Sequence, residues 1–191
     1  MNLDNYLDMV QEGYILNDRS YEVDLDKFEN GTSNILLIDG ISGAGKTTLG
    51  EKLSKKYKCK IFNSDFPCLT EQDKKDPIVC FKENYYKIKR SKQKYIIEGV
   101  LVHFSCLDGW KPKLTPFFNE IKKDPIIIVG TSVLKSMYRY YKNSKDRTFF
   151  QFAKSFLKFG RYYSEEMSPY NFFVKNRLSV PDANIKELKL K

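Results

Sequence analysis

Apolar positions along the chain fall into two alternating patterns. Short continuous runs rich in Ile, Val and Phe occur at 34–39 (NILLID), 59–63 (CKIFN), 95–99 (YIIEG), 125–130 (PIIIVG) and, more weakly, 171–174 (NFFV). A run without polar alternation suits a strand covered on both faces, because every side chain then meets a core. Between the runs the spacing changes to three and four. Leu49, Leu53 and Tyr57 share one stripe; Phe81, Tyr85 and Ile88 share another within 80–92. Val133, Leu134, Met137, Tyr138 and Tyr141 follow in 132–142, then Phe149, Phe152, Ala153, Phe156 and Leu157 in 148–159. These spacings put the apolar side chains on one helix face. Strand alternating with helix predicts βαβ units, right-handed crossovers and a parallel sheet, here of five strands, in an α/β fold.

The rest of the chain frames that core. Residues 1–33 read as an N-terminal extension with a short helix at 2–12 and a turn-prone stretch at 29–34, and 34–180 as the core. The tail 181–191 is compatible with a helix, an edge strand or disorder. A length of 191 residues suits one domain, so 1–191 is expected to fold as a single unit.

Composition narrows the class. Aromatic residues make up 15% of the chain, far from the composition of a disordered polymer. The net charge of +9 favours anionic partners such as nucleotides, although lysines spread over a surface serve solubility equally well. Cys59, Cys68, Cys80 and Cys106 show no C-x-x-C spacing and the one histidine is His103, which argues against a zinc site. The cysteines read as reduced thiols of a cytoplasmic protein. The acidic N-terminus lacks a signal-peptide pattern and no apolar run approaches the ~18 residues of a membrane span, so no membrane partner is expected.

The chemistry is concentrated after the first apolar run. Gly40, Gly45, Lys46 and Thr47 satisfy G-x-x-x-x-G-K-[ST], with a buried strand before and a helix pattern after. Glycines let the backbone curl so that its N–H groups point at phosphate oxygens, and the helix start adds its positive end. Gly40, Ser42, Gly43, Ala44, Gly45, Lys46, Thr47 and Thr48 are therefore expected to bind the phosphates of a nucleoside triphosphate, ATP or GTP. Lys46 would reach the β/γ-phosphates and Thr47 would supply a ligand to Mg²⁺.

Ligands of open parallel sheets sit at the carboxyl ends of the strands. Asp65 follows the second apolar run and Glu98 ends the third. One carboxylate beside a triphosphate can take the proton of an attacking hydroxyl and the other can hold Mg²⁺. Each residue fits a plainer role as well, Asp65 as a turn or helix-cap residue and Glu98 as a surface carboxylate. Beyond the fourth run, Lys142, Lys145, Asp146 and Arg147 follow an amphipathic helix carrying Arg139. A basic lid would stabilise charge on a moving phosphoryl group and exclude water; Arg139 and Arg147 are the first candidates because guanidinium matches phosphate geometry. A solvated helix-helix turn is the alternative. His103, just past the third run, is a candidate contact to the acceptor, though a lone histidine there is more often structural.

The segments IDGISGAGKTT, FNSDF and IIEGVL, in that order, resemble the uridine kinase and phosphoribulokinase group of P-loop kinases over about residues 34–150. The resemblance implies a three-layer αβα fold with strand order 2-3-1-4-5 and a helical lid. It implies transfer of the γ-phosphate of ATP to a hydroxyl of a small acceptor, a nucleoside first among them. It also implies Asp65 as base, Glu98 as the carboxylate after the third strand, and Arg139 and Arg147 as lid arginines. The lid lacks a tight arginine pair, and the Asp-His-Pro segment associated with uridine kinases is absent, which leaves the acceptor open. Two other readings are carried. A polynucleotide 5′-hydroxyl kinase would use the basic surface, and a nucleotide-binding switch or nucleic-acid-dependent ATPase would not transfer phosphate to an alcohol at all. Nucleic acid is the less favoured partner, and a homodimer is allowed.

Overall fold

The computed structural model describes residues 19–41, 43–65, 77–99, 115–131, 135–136, 138–139, 142 and 182–190. Among these, six strands form one sheet: β1 (Ser20–Val23), β2 (Ile35–Asp39), β3 (Lys60–Asn63), β4 (Tyr95–Glu98), β5 (Ile126–Ile128) and β6 (Ile185–Leu188). Four helices accompany them: α1 (Leu25–Glu29), α2 (Lys46–Tyr57), α3 (Pro77–Lys89) and α4 (Thr115–Ile121).

The sheet order is β3-β4-β2-β5-β1-β6. The pairs β3/β4, β4/β2 and β2/β5 are parallel, whereas β1 runs antiparallel to both β5 and β6. The expectation of five parallel strands in the order 2-3-1-4-5 therefore needs correction. Its first four strands lie in that order, but the place beside the fourth is taken by Ser20–Val23, an antiparallel strand from the segment read as an extension. Ile185–Leu188, read as tail, then pairs outside it. The expected strand at 171–174 and the helices at 2–12 and 148–159 lie outside the described residues.

The apolar runs behave as their composition dictates. All five residues of β2 are buried, because β2 lies between β4 and β5 with both faces covered. With Ile96, Ile97, Ile126 and Ile127, the apolar residues Ile35, Leu36, Leu37 and Ile38 form the centre of the core, into which Phe81, Tyr85 and Phe117 also pack. Each such side chain contributes about 1.5–3 kcal/mol by leaving water. The run at 59–63 departs from expectation. As an edge strand it leaves Lys60 exposed and Ile61 38% exposed, while Phe62 stacks on Phe81 with ring centroids 6.4 Å apart. Continuity of apolar residues there reflects one covered face and one open edge.

Polar groups at the amino-terminal ends of the strands lock the helices. Tyr85 donates to Asp124, Lys89 Nζ donates to Tyr85 at 2.9 Å, and Lys89 pairs with Glu120 at 3.2 Å. Asn34 Nδ2 donates to the carbonyls of Ile88 at 2.9 Å and Ser91 at 2.8 Å, satisfying the end of α3. At the other sheet margin, Asp24 N–H donates to the Asn184 carbonyl at 2.8 Å and Asn184 N–H to Asp24 Oδ1 at 2.9 Å, tying β1 to β6. Cys59 is a free thiol, but Cys80 is disulfide-bonded, which corrects the expectation of four reduced thiols.

Candidate active site

The site is built where β2 hands over to α2. β2 ends at Asp39, fully buried, whose Oδ1 accepts the Gly40 N–H at 2.7 Å. The chain then curls through Gly43 and Gly45, both with positive φ, before α2 begins at Lys46. Gly43 requires glycine on two counts: its φ of 77° is in the left-handed region, and a Cβ would come within 2.8 Å of the Ser136 carbonyl oxygen. Ser136 therefore rests directly against the loop.

Lys46 is 7% exposed and folds back inside the curl, donating to Gly40 O at 2.7 Å and Ile41 O at 3.2 Å. A buried ammonium whose hydrogen bonds go to backbone carbonyls favours an anion beside it, because carbonyl dipoles compensate only part of its lost hydration. The Thr47 hydroxyl lies 3.3 Å from each carboxylate oxygen of Glu98, the last residue of the neighbouring strand β4. Glu98 is 1% exposed. Burial pushes its carboxyl above the usual range; nearby Lys46 pulls the other way, and the like charges of Asp65 and Glu51 add to the rise.

Asp65 follows β3, which pairs with β4 so that Asn63 stands opposite Glu98. Its backbone N–H donates to Asn63 Oδ1 at 2.8 Å, a local turn that carries the chain off the strand end, and its side chain is exposed. On the far side of the loop, Arg139 Nη1 donates to Ala44 O at 3.2 Å and approaches Gly43 O at 3.5 Å.

The structure thus brings together Gly40, Gly43, Ala44, Gly45, Lys46, Thr47, Glu98, Asp65 and Arg139. Thr48 lies exposed on the first turn of α2. Ser42, His103 and Arg147 lie outside the described residues. Two residues at this end of the sheet escaped sequence reasoning. Asp39 could have been noticed as a charged residue closing an apolar run. Ser64 carried no signal, since a serine between Asn63 and Asp65 looks like ordinary turn composition.

The donor set tests whether a hard cation fits. Among the described residues no three His, Cys, Asp or Glu side chains cluster as a protein-only metal site. One hydroxyl and one carboxylate in contact suit Mg²⁺, which keeps waters and takes its remaining oxygens from substrate phosphates. Among the described residues no helix is long and apolar enough to cross a membrane.

No protein-family description matches the chain. It is similar to a gluconokinase from Arabidopsis thaliana, with 31% identity over 81 residues. The match covers 39% of this chain and 43% of that protein, so it spans less than half of the relative's length.

Proposed function

We propose that the protein is a P-loop small-molecule kinase that transfers the γ-phosphate of ATP to a hydroxyl of a small acceptor. The observation that carries this reading is the convergence of buried Lys46 and Glu98 with the exposed Thr47, whose hydroxyl meets the Glu98 carboxylate, with Asp65 at the adjacent strand end. The similarity to a gluconokinase points in the same direction and favours a polyhydroxylated acid as acceptor. The motif order shared with uridine kinases keeps nucleosides in the set.

In this reading the loop amides from 43 to 48 and the Lys46 ammonium hold the β- and γ-phosphates, releasing Lys46 from the carbonyls of Gly40 and Ile41. Thr47 and Glu98 would hold Mg²⁺, whose charge offsets that of the triphosphate. Asp65 accepts the proton of the acceptor hydroxyl as its oxygen bonds to the γ-phosphorus and the bond to the β-γ bridging oxygen breaks. ADP leaves with the electron pair. Arg139 exchanges its loop carbonyls for the phosphoryl oxygens, on which charge spreads during transfer.

The test is an acceptor screen with γ-labelled ATP and GTP against gluconate and related sugar acids, nucleosides, and 5′-hydroxyl oligonucleotides. Label transfer to a small acceptor, lost in Asp65→Asn while ATP still binds, is the expected result. ATP turnover that responds to nucleic acid or protein and yields no phosphorylated alcohol would replace this reading with a nucleotide switch. Salt-sensitive transfer to oligonucleotides would identify a polynucleotide kinase.

A further inference from the structure

The two faces of α3 differ in kind. Phe81, Tyr85 and Ile88 pack into the core, while Val79, Lys82, Glu83, Tyr86, Lys87 and Arg90, at the complementary spacing of three and four, line an open cleft of about 670 Å³. Arg90 N–H donates to Tyr86 O at 3.1 Å, so the spiral runs on through Arg90. The connections β2–α2–β3 and β3–α3–β4 cross the sheet in opposite senses, and right-handed crossovers therefore put α2 and α3 on opposite faces. The cleft lies on the face away from α2, and none of its described lining residues belongs to the phosphate loop.

The helix sorts its cations. Lys89 is tied to Glu120 at 3.2 Å and to the Tyr85 hydroxyl at 2.9 Å. Among the described residues Lys82, Lys87 and Arg90 make no ion pair, and Glu83 is the one carboxylate beside them in the cleft lining. Tyr86 commits its hydroxyl to Glu120 at 2.9 Å, so its ring is the part left to a ligand. Val79, 39% exposed, adds apolar surface at one end. Lys82 and Arg90 stand about 12 Å apart along the axis, from a rise of about 1.5 Å per residue. That separation is wide for a single phosphate and spans several phosphates of a stacked strand, which succeed one another about every 3.4 Å. The net charge of +9 draws polyanions to the surface at large, and Lys46 and Arg139 account for little of it.

We infer that the outer face of α3 binds single-stranded nucleic acid: Lys82, Lys87 and Arg90 follow its phosphates, and the Tyr86 ring stacks on an unpaired base. A duplex keeps its base faces inside its own stack and offers Tyr86 nothing. An anionic membrane is the poorer fit, because it is flat and these groups line a cleft. The inference goes beyond the kinase reading, since the strand is held away from the phosphate loop and is not the acceptor.

The experiment follows the fluorescence anisotropy of a short labelled oligothymidylate titrated with the full chain. For wild type, log K should fall against log salt with a slope of about −2, the value for three phosphate contacts to a single strand. Arg90→Glu and Lys87→Glu should each weaken binding about tenfold and flatten the slope, while Lys92→Glu, at an exposed position outside the cleft lining, stays within about twofold. Tyr86→Phe keeps the ring and should bind within about twofold of wild type; Tyr86→Leu should lose about tenfold. Lys46→Ala, and wild type saturated with Mg²⁺ and a non-hydrolysable ATP analogue, should bind the strand as the free protein does. Equal losses in Lys92→Glu and Arg90→Glu would reduce the effect to general surface charge and overturn the inference. A duplex of the same length, or vesicles of phosphatidylserine, bound as tightly as the single strand would overturn it as well. Competition between the oligonucleotide and the ATP analogue would do the same by moving the strand to the transfer site. None of these readouts uses phosphoryl transfer, so they stand whatever the acceptor screen yields.

Discussion

Replacing Tyr85 with phenylalanine separates what stabilises this fold from what operates the site. Tyr85 is fully buried, donates to Asp124 and accepts from Lys89 at 2.9 Å; Asp124 itself is 6% exposed. Burial, then the charge of Asp124, push the phenol far above its usual range, so it stays protonated as a donor throughout the neutral region. Tyr85→Phe keeps the ring and its edge contact with Phe117 at 5.1 Å, and removes only the hydroxyl. A hydrogen bond to a charged group contributes about 1.5–3 kcal/mol. Asp124 would retain Lys89 at 3.8 Å and Ser33 Oγ at 3.4 Å, which favours the lower half of that range. For a domain of this size each kcal/mol moves the melting temperature by roughly 2–4 °C, so a loss of about 3–9 °C is expected in differential scanning calorimetry. The sign of the pH dependence follows. A phenol whose pKa is higher folded than unfolded contributes stability that is fully present below about pH 10 and declines as pH rises from there. Above pH 10 the wild type should therefore lose stability faster than the variant, and the gap between them should close. Because Tyr85 and Asp124 lie at the amino-terminal ends of the strands, KM for ATP should be unchanged. A melting shift below about 1 °C, or a changed KM, would refute the argument.

Lys46→Ala should abolish ATP binding measured by calorimetry while the protein still melts cooperatively, since among the described residues the lysine's hydrogen bonds go to two loop carbonyls. Glu98, with its carboxyl raised by burial, should make Mg²⁺-dependent ATP affinity fall as pH drops, beginning above the ordinary glutamate value of 4.5, and Glu98→Gln should flatten that dependence. Gly43→Ala should cost about 2–4 kcal/mol, from positive φ and from overlap with the Ser136 backbone, seen in denaturant titration. Raising ionic strength should leave small-acceptor turnover nearly constant, since Lys46 and Glu98 are shielded by burial.

The parts of the fold legible in the sequence are those whose local signal and tertiary setting agree. β2 is apolar throughout because both faces are covered, and the glycines after it stand where the backbone must turn sharply. The places of Asp65 and Glu98 at strand ends were legible because each closes or follows an apolar run. The margin of the sheet was not legible. Ser20–Val23 holds one serine, one tyrosine and one glutamate in four residues, and becomes a strand only because β5 offers it an unpaired edge. Ile185–Leu188 sets two charged residues between two apolar ones over a single turn's length, which suits a helix end as well as an edge strand. Asp39 and Ser64 were overlooked because nothing in their neighbours betrays that they are buried, a property set by strands distant in sequence.

The antiparallel pairing of β1 with β6 matches Ser20 to Leu188. During synthesis the four parallel strands can assemble as soon as residue 128 has emerged. Ser20–Val23, made before all of them, can settle only one of its two edges until the last strand follows. A ribosome stalled in between would thus display the other described strands with the outer edge of Ser20–Val23 open, and chaperones that recognise exposed strand edges would find it there.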